Sequence, residues 1–249
     1  TQSLTITVQD TENPTIDAMA DINLNVDAGL CTAVATWTDP STSDNCGIQG
    51  IAYSTASGSA FPLGATTVTA TATDDAGNTA TASFTVTVTD DENPVISDMP
   101  ANISQSNDAG ACAAAVTWTA PTADDNCSVS SFTSTHSPGD QFAVGTTTVT
   151  YTAIDGSNNT ISASFNVVVA DTEDPAIANV PSNLSVTTDA DVCGATVTWT
   201  APTASDNCGV TSFPSTHDSG DFFNVGSTTV SYSAMDAAGN GVTSSFTVT

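Results

Sequence analysis

Acidic side chains carry what chemistry this chain can do. Glutamate occurs at Glu12, Glu92 and Glu173 and nowhere else, each time with an aspartate two residues earlier, at Asp10, Asp90 and Asp171. A second acidic motif recurs as Asp74, Asp75 and Asn78, as Asp155 and Asn159, and as Asp236 and Asn240. A third is an Asp-Asn-Cys tripeptide that begins at Asp44, Asp125 and Asp206. Carboxylate and amide oxygens gathered in this way are the hard donors that Ca²⁺ takes. The chain has no Lys or Arg against 27 Asp and Glu, so no side-chain cation of its own can neutralise them.

The six cysteines also recur in step. Cys31 and Cys46, Cys112 and Cys127, and Cys193 and Cys208 are each 15 residues apart, and each pair follows the last by 81 residues. Trp37, Trp118 and Trp199 keep the same interval, so one module is written three times. Modules of about 80 residues bury little surface and gain from a staple. The spacing predicts the disulfides Cys31–Cys46, Cys112–Cys127 and Cys193–Cys208, each closing a short loop, in an oxidising, extracellular compartment. Buried free thiols are the alternative.

These residues need strands to position them. Residues 66–73, 83–89, 146–152 and 164–169 alternate apolar and polar side chains and are rich in Thr and Val. That pattern predicts half-buried antiparallel strands. In the second module strands are expected at 94–96, 102–106, 112–119, 129–134, 141–144, up to 154, and up to 169, with 121–127 a loop. The fold class is therefore all-β: tandem immunoglobulin-like β-sandwiches of about seven antiparallel strands each. Linkers at Pro14, Pro94 and Pro175 divide the chain into repeats at 10–90, 91–171 and 172–249. Residues 1–9 match the last strand of a preceding repeat; completion of a neighbouring subunit by that strand is the alternative.

In such a sandwich the turn before the last strand lies near the linker, so two acidic clusters meet at one pole. The ligands expected for an interdomain Ca²⁺ are Asp10, Glu12, Asp74, Asp75 and Asn78; Asp90, Glu92, Asp155 and Asn159; and Asp171, Glu173, Asp236 and Asn240. Asp44, Asp125 and Asp206 are further candidates. If Cys31 bonds Cys46, the chain must double back, and Asp44 then falls at the far pole, beside the next junction. The plainer reading makes the acidic turns hairpin turns and the Asp and Glu pairs solvated linker.

The joint pattern resembles the hyalin repeat (HYR) family: Asp-x-Glu-x-Pro, Cys-x5-Trp-x2-Pro, Asp-Asn-Cys, Phe-x2-Gly-x-Thr-x-Val, Asp-x3-Asn and Ser-Phe-x-Val, in three copies over nearly the whole chain. The resemblance implies an immunoglobulin-like fold and extracellular adhesion. Many members carry a second cysteine pair joining the first strand to the last; here residues 98–100 and 163–165 contain no cysteine.

The function expected is a structural and adhesive stalk segment at the cell surface, rigidified by calcium. Its partners are neighbouring repeats and an unknown adhesion ligand. Alternatives are a self-assembling filament or surface-layer subunit, in which other copies are partners, and an accessory module of a secreted polysaccharide-degrading enzyme. A chain without Lys or Arg cannot neutralise phosphate, which excludes nucleic acid and an anionic membrane surface as partners. No apolar run reaches the length of a membrane span and no signal peptide opens the chain. No catalytic constellation stands out: His136 and His217 are equivalent, but no nucleophile or zinc spacing accompanies them. Asn102, Asn126, Asn158 and Asn183 fit the glycosylation pattern.

Overall fold

A computed structural model describes residues 2–249. In the first repeat the long strands Gly64–Asp74 and Thr79–Thr89 form a hairpin at the centre of a four-stranded sheet. Ile48–Tyr53 flanks one side, and Ile22–Asn25 lies parallel to Thr79–Thr89 on the other. Short pairs complete the second layer: Thr32–Ala35 with Ser59–Pro62, and Thr15–Ile16 with Thr42–Ser43. The alternation of Thr with Val and Ala explains the layering, because every second residue is buried. Val68, Ala70 and Ala72 face inward on one strand, and Phe84, Val86 and Val88 on the next. Trp37 closes this core edge-on, 5.1 Å from Phe84 and 6.1 Å from Phe61 between ring centroids.

The second and third repeats follow the same plan. Ile103–Ser106, Thr160–Ala170, Gly145–Asp155 and Val129–Ser134 form the second repeat's large sheet. Its small pairs are Ala113–Ala115 with Gln141–Ala143 and Val95–Ser97 with Thr122–Asp124. In the third repeat Val210–Ser212, Thr228–Asp236 and Gly241–Val248 form the sheet, and a single parallel bridge from Leu184 to Val248 stands where the first strand paired before. Trp199 Nε1 donates to Tyr232 Oη at 2.9 Å, so this half-buried indole is satisfied.

Tertiary contacts divide the chain into two compact units, and the division falls inside the second repeat. One unit holds the residues through Asp98 with Pro121–Thr133 and Tyr151–Ala163; the other holds Met99–Ala120, Ser134–Thr150 and Ser164–Thr249. The first thus joins repeat one to the linker-side pole of repeat two. The second joins the remainder of repeat two to repeat three.

Three sequence expectations differ from this structure. The strand expected at 112–119 is only Ala113–Ala115, because beyond it Val116 bonds singly with Asp140 and Gly139. The loop expected at 121–127 contains the strand Thr122–Asp124. The closing strand expected at 1–9 is absent from residues 2–9, while residue 1 lies outside the described residues. Leu4, Ile6 and Val8 are 85%, 76% and 92% exposed, since the first repeat already owns Thr79–Thr89 as its last strand and offers them no core.

Candidate metal centres and the clasp beside them

The disulfides do not close within repeats. Cys31 bonds Cys127 and Cys112 bonds Cys208, each across 96 residues with Cα atoms 4.7 and 4.8 Å apart. The expected pairs Cys31–Cys46, Cys112–Cys127 and Cys193–Cys208 are therefore corrected, and Cys46 and Cys193 are free thiols. The reason is the extended path from Cys31 through Trp37, which carries the chain to the opposite pole instead of doubling back. Cys46 lies there beside Asp10 and Asn45, whereas Cys31 lies at the pole that meets the next repeat.

That correction moves the Asp-Asn-Cys aspartates as well. Asp44 is not beside the next junction: it gathers with Asp10 and Asp74 at its own. Asp125 joins Asp90 and Asp155, and Asp206 joins Asp171 and Asp236, each triad offering three carboxylate oxygens within 4.8 Å of one another. Every triad therefore draws on a linker, a loop and the end of a long strand.

The middle triad shows how the positions are set. Asp155 ends its strand, and its Oδ1 accepts the backbone N–H groups of Ser157 and Asn159, both at 2.8 Å. Its Oδ2 accepts Asn159 Nδ2 at 2.7 Å, and that amide also donates to the Asp90 carbonyl at 3.1 Å. Asn159 is thus a positioning residue that ties strand end to linker, as Asn78 and Asn240 do in their repeats. The turn needs a left-handed residue, supplied by Gly77, Gly239 and, at φ 73°, Asn158. Asp90 Oδ1 takes the Glu92 N–H at 3.1 Å, and Asp125 Oδ2 takes those of Cys127 and Ser128 at 2.9 and 3.1 Å.

What remains is unsatisfied. Asp90 Oδ2 and Asp125 Oδ1 are buried and accept no hydrogen bond, and the same holds for Asp10 Oδ2 with Asp44 Oδ1 and for Asp171 Oδ2 with Asp206 Oδ1. Asp90 and Asp171 are each only 7% exposed. Buried carboxylate oxygens left without donors are costly. Hard oxygens, clustered negative charge and orphaned lone pairs fit a divalent cation of the Ca²⁺ class, with Asp10, Asp44 and Asp74 and their counterparts as its holders.

Burial acts to raise the Asp74 carboxyl. The side-chain amide and backbone N–H of Asn78, with the N–H groups of Gly77 and Ala76, outweigh it and hold the group below the usual carboxylate range. Asp236 is held low in the same way by Asn240, Gly239 and Ala238. Desolvation, then Asp10, Asp44 and Asp74, push the Cys46 thiol up.

The glutamates lie outside the triads and make a different contact. Glu92 accepts the Gly29 N–H on Oε1 and Oε2 at 3.0 and 3.2 Å, and Glu173 Oε1 accepts that of Gly110 at 2.7 Å. Both glycines belong to the turn just before Cys31 or Cys112 in the preceding repeat. Asn126 Nδ2 donates to the Leu30 carbonyl at 3.0 Å, and Asn207 Nδ2 to that of Ala111 at 2.9 Å. In the Asp-Asn-Cys of the second and third repeats, the aspartate therefore faces the triad, the asparagine binds the preceding repeat's backbone and the cysteine bonds its cysteine. Glu12 instead accepts Asn45 Nδ2 at 3.1 Å. Asp75 stands outside the triad, against Gly47. His136 and His217 lie against Phe142 and Phe223 with ring centroids 5.0 and 5.2 Å apart, as loop packing.

Fold and site together define a tandem β-sandwich protein whose junctions are acidic and closed by disulfides. The chain belongs to the HYR domain family, which matches residues 9–88, 89–169 and 170–249. It is 36% identical over 260 residues to a hyalin of Strongylocentrotus purpuratus, covering 99% of this chain and 22% of that protein. It is 38% identical over 233 residues to a hyalin of Lytechinus variegatus, covering 90% and 43%. The chain thus spans less than half the length of these relatives. Among solved structures it is similar to the protocadherin gammaB4 extracellular domain (TM-score 0.33, 15% identity, 94% of this chain and 49% of that one). It is also similar to human CDH23 EC21-23 (TM-score 0.31, 18% identity, 96% and 100%). Among the described residues no helix is long and apolar enough to cross a membrane.

Proposed function

We propose that this chain is a segment of an extracellular adhesive repeat protein, acting as a structural stalk whose junctions are rigidified by Ca²⁺. The observation that carries the reading is the triad repeated at every linker, with two buried oxygens unpartnered each time, in a chain without Lys or Arg. Disulfides support an oxidising, extracellular setting. Membership of the HYR family and likeness to hyalins support repeat-to-repeat and ligand contacts as its business rather than turnover.

The chemistry would be structural. A divalent cation supplies positive charge to three carboxylates that otherwise repel one another. The chain's own residues do the rest: the asparagine amides fix the aspartates, and the linker glutamate and the Asp-Asn-Cys loop hold the preceding repeat. Isothermal titration of the chain with Ca²⁺ tests this. Three ions per chain are expected, with affinity in the 10⁻⁴–10⁻³ M range of about that of extracellular modules. Absence of binding at millimolar Ca²⁺ would overturn the calcium reading.

A further inference from the structure

Two cysteines remain outside any bond, and they are complementary rather than equivalent. In both formed bridges the cysteine that follows the Asp-Ala-Gly turn of one repeat bonds the cysteine of Asp-Asn-Cys in the next. Cys193 is the third member of the first kind and Cys46 the third of the second kind, and both are exposed. Their surroundings are half-clasps too. Beside Cys46, Asn45 and Glu12 bond each other, where Asn126, Asn207, Glu92 and Glu173 hold a preceding repeat. Beside Cys193, Asp191 keeps the left-handed backbone of the turn (φ 62°, against 70° at Gly29 and 71° at Gly110), so the same N–H is presented.

We propose that Cys46 and Cys193 are the two halves of a further inter-repeat clasp, each forming a disulfide with a repeat of this same kind that abuts its pole. A second copy of this chain carries both complements, so Cys193 of one copy bonds Cys46 of the next, head to tail. The link is a two-electron oxidation. Both thiols lose a proton, the sulfurs join, and a small-molecule disulfide such as oxidised glutathione is reduced to two thiols. Residues 2–9 pair with no strand, and Asn45 and Cys46 are open at that pole. The inference rests on the reading of the chain as a repeat segment and not on the cation.

The test uses the full chain as Cys46→Ser and Cys193→Ser variants in a glutathione redox buffer, read by non-reducing electrophoresis. Docking of the half-clasps raises the effective concentration of the matching thiols. The mixture of the two variants should form a Cys46–Cys193 heterodimer at least about tenfold faster than either variant forms a homodimer. Peptide mapping of the product should join the fragment with Cys46 to that with Cys193. Equal rates for hetero- and homodimers, or no heterodimer at all, overturn the proposal. Repeating the mixture in EDTA separates the two readings: linkage that persists while calcium binding fails leaves the clasp standing alone.

Discussion

Replacing Asp125 by asparagine should stabilise the protein without calcium and lose most of that gain with it. The middle triad places carboxylate oxygens within 4.8 Å of one another. At that distance two unit charges repel by about 0.9 kcal/mol in water and about 3.5 kcal/mol at an effective dielectric constant of about 20. Asp125→Asn removes two of the three pairs, relieving between about 1.7 and about 7 kcal/mol. Asp125 is half-buried, which places the expected gain near the lower bound, about 2 kcal/mol. Asparagine retains one oxygen for the Cys127 and Ser128 N–H groups and can turn its amide toward the orphaned Asp90 Oδ2. In EDTA the variant should therefore melt higher than the wild type, by on the order of 4–8 °C.

With about 10 mM Ca²⁺ most of that gain is cancelled. A site with a dissociation constant of 10⁻⁴–10⁻³ M contributes about 1.4–2.7 kcal/mol at that concentration. Loss of one ligand charge that weakens binding about tenfold removes about 1.0–1.3 kcal/mol of this, so the variant's advantage falls from about 2 kcal/mol to below about 1 kcal/mol. Thermal unfolding followed by tryptophan fluorescence, for both proteins in both buffers, measures the four values needed. A variant that is less stable by the same margin in EDTA and in calcium refutes the electrostatic reasoning, because asparagine would then only disturb the loop.

Three further outcomes are expected. Cleavage after Glu12, Glu92 and Glu173, in denaturant with thiols blocked, should leave fragments 13–92, 93–173 and 174–249 as one species until reductant is added; separation without reductant would exclude bridges across repeats. Asp74 and Asp236 are held below the unfolded carboxylate value of about 3.9, so their stabilisation is full above that value and lost as pH falls through their depressed folded values. Denaturant titrations between about pH 2 and 4 in EDTA should show that loss, with a flatter slope for Asp74→Asn. Phe142→Ala, at a site 2% exposed, should cost about 3–5 kcal/mol in urea unfolding, whereas Val95→Ala, at 59% exposure, should stay within about 0.5 kcal/mol.

The long strands were legible because their pattern is strict: Gly64–Asp74 and Thr79–Thr89 bury every second residue over most of their length. Thr122–Asp124 was not, since three residues between a proline and an Asp-Asn-Cys loop show no period. The module interval and the recurrence of its acids were plain, but partners within a repeat and across repeats have the same spacing signature. For the cysteines, loop closure prefers 15 residues over 96 by only about 1.6 kcal/mol, and the extended path from Cys31 to Trp37 overrides that. A Cys31–Cys46 pairing would also place Asp44 at the wrong pole, away from Asp10 and Asp74. The exclusive placement of glutamate did mark a junction contact, yet nothing in one sequence distinguishes a metal ligand from an acceptor for the Gly29 and Gly110 N–H groups.

Each bridge spans 96 residues while the repeat is 81 long, so the two loops overlap, and the segment from Cys112 to Cys127 belongs to both. A pull on the two ends therefore meets a covalent shortcut: Cys31 to Cys127, back along the chain to Cys112, then across to Cys208. The shortcut replaces the backbone between Cys31 and Cys208 with one 15-residue stretch, which reaches about 50 Å when fully drawn out. The hairpins Gly64–Asp74 with Thr79–Thr89 and Gly145–Asp155 with Thr160–Ala170 lie off that line of force. Tension can strain this chain, but it cannot separate the strands of those two hairpins while both bonds hold. Between Cys31 and Cys208 the reach of the chain is thus capped by two bonds, and reduction would release the full backbone between them.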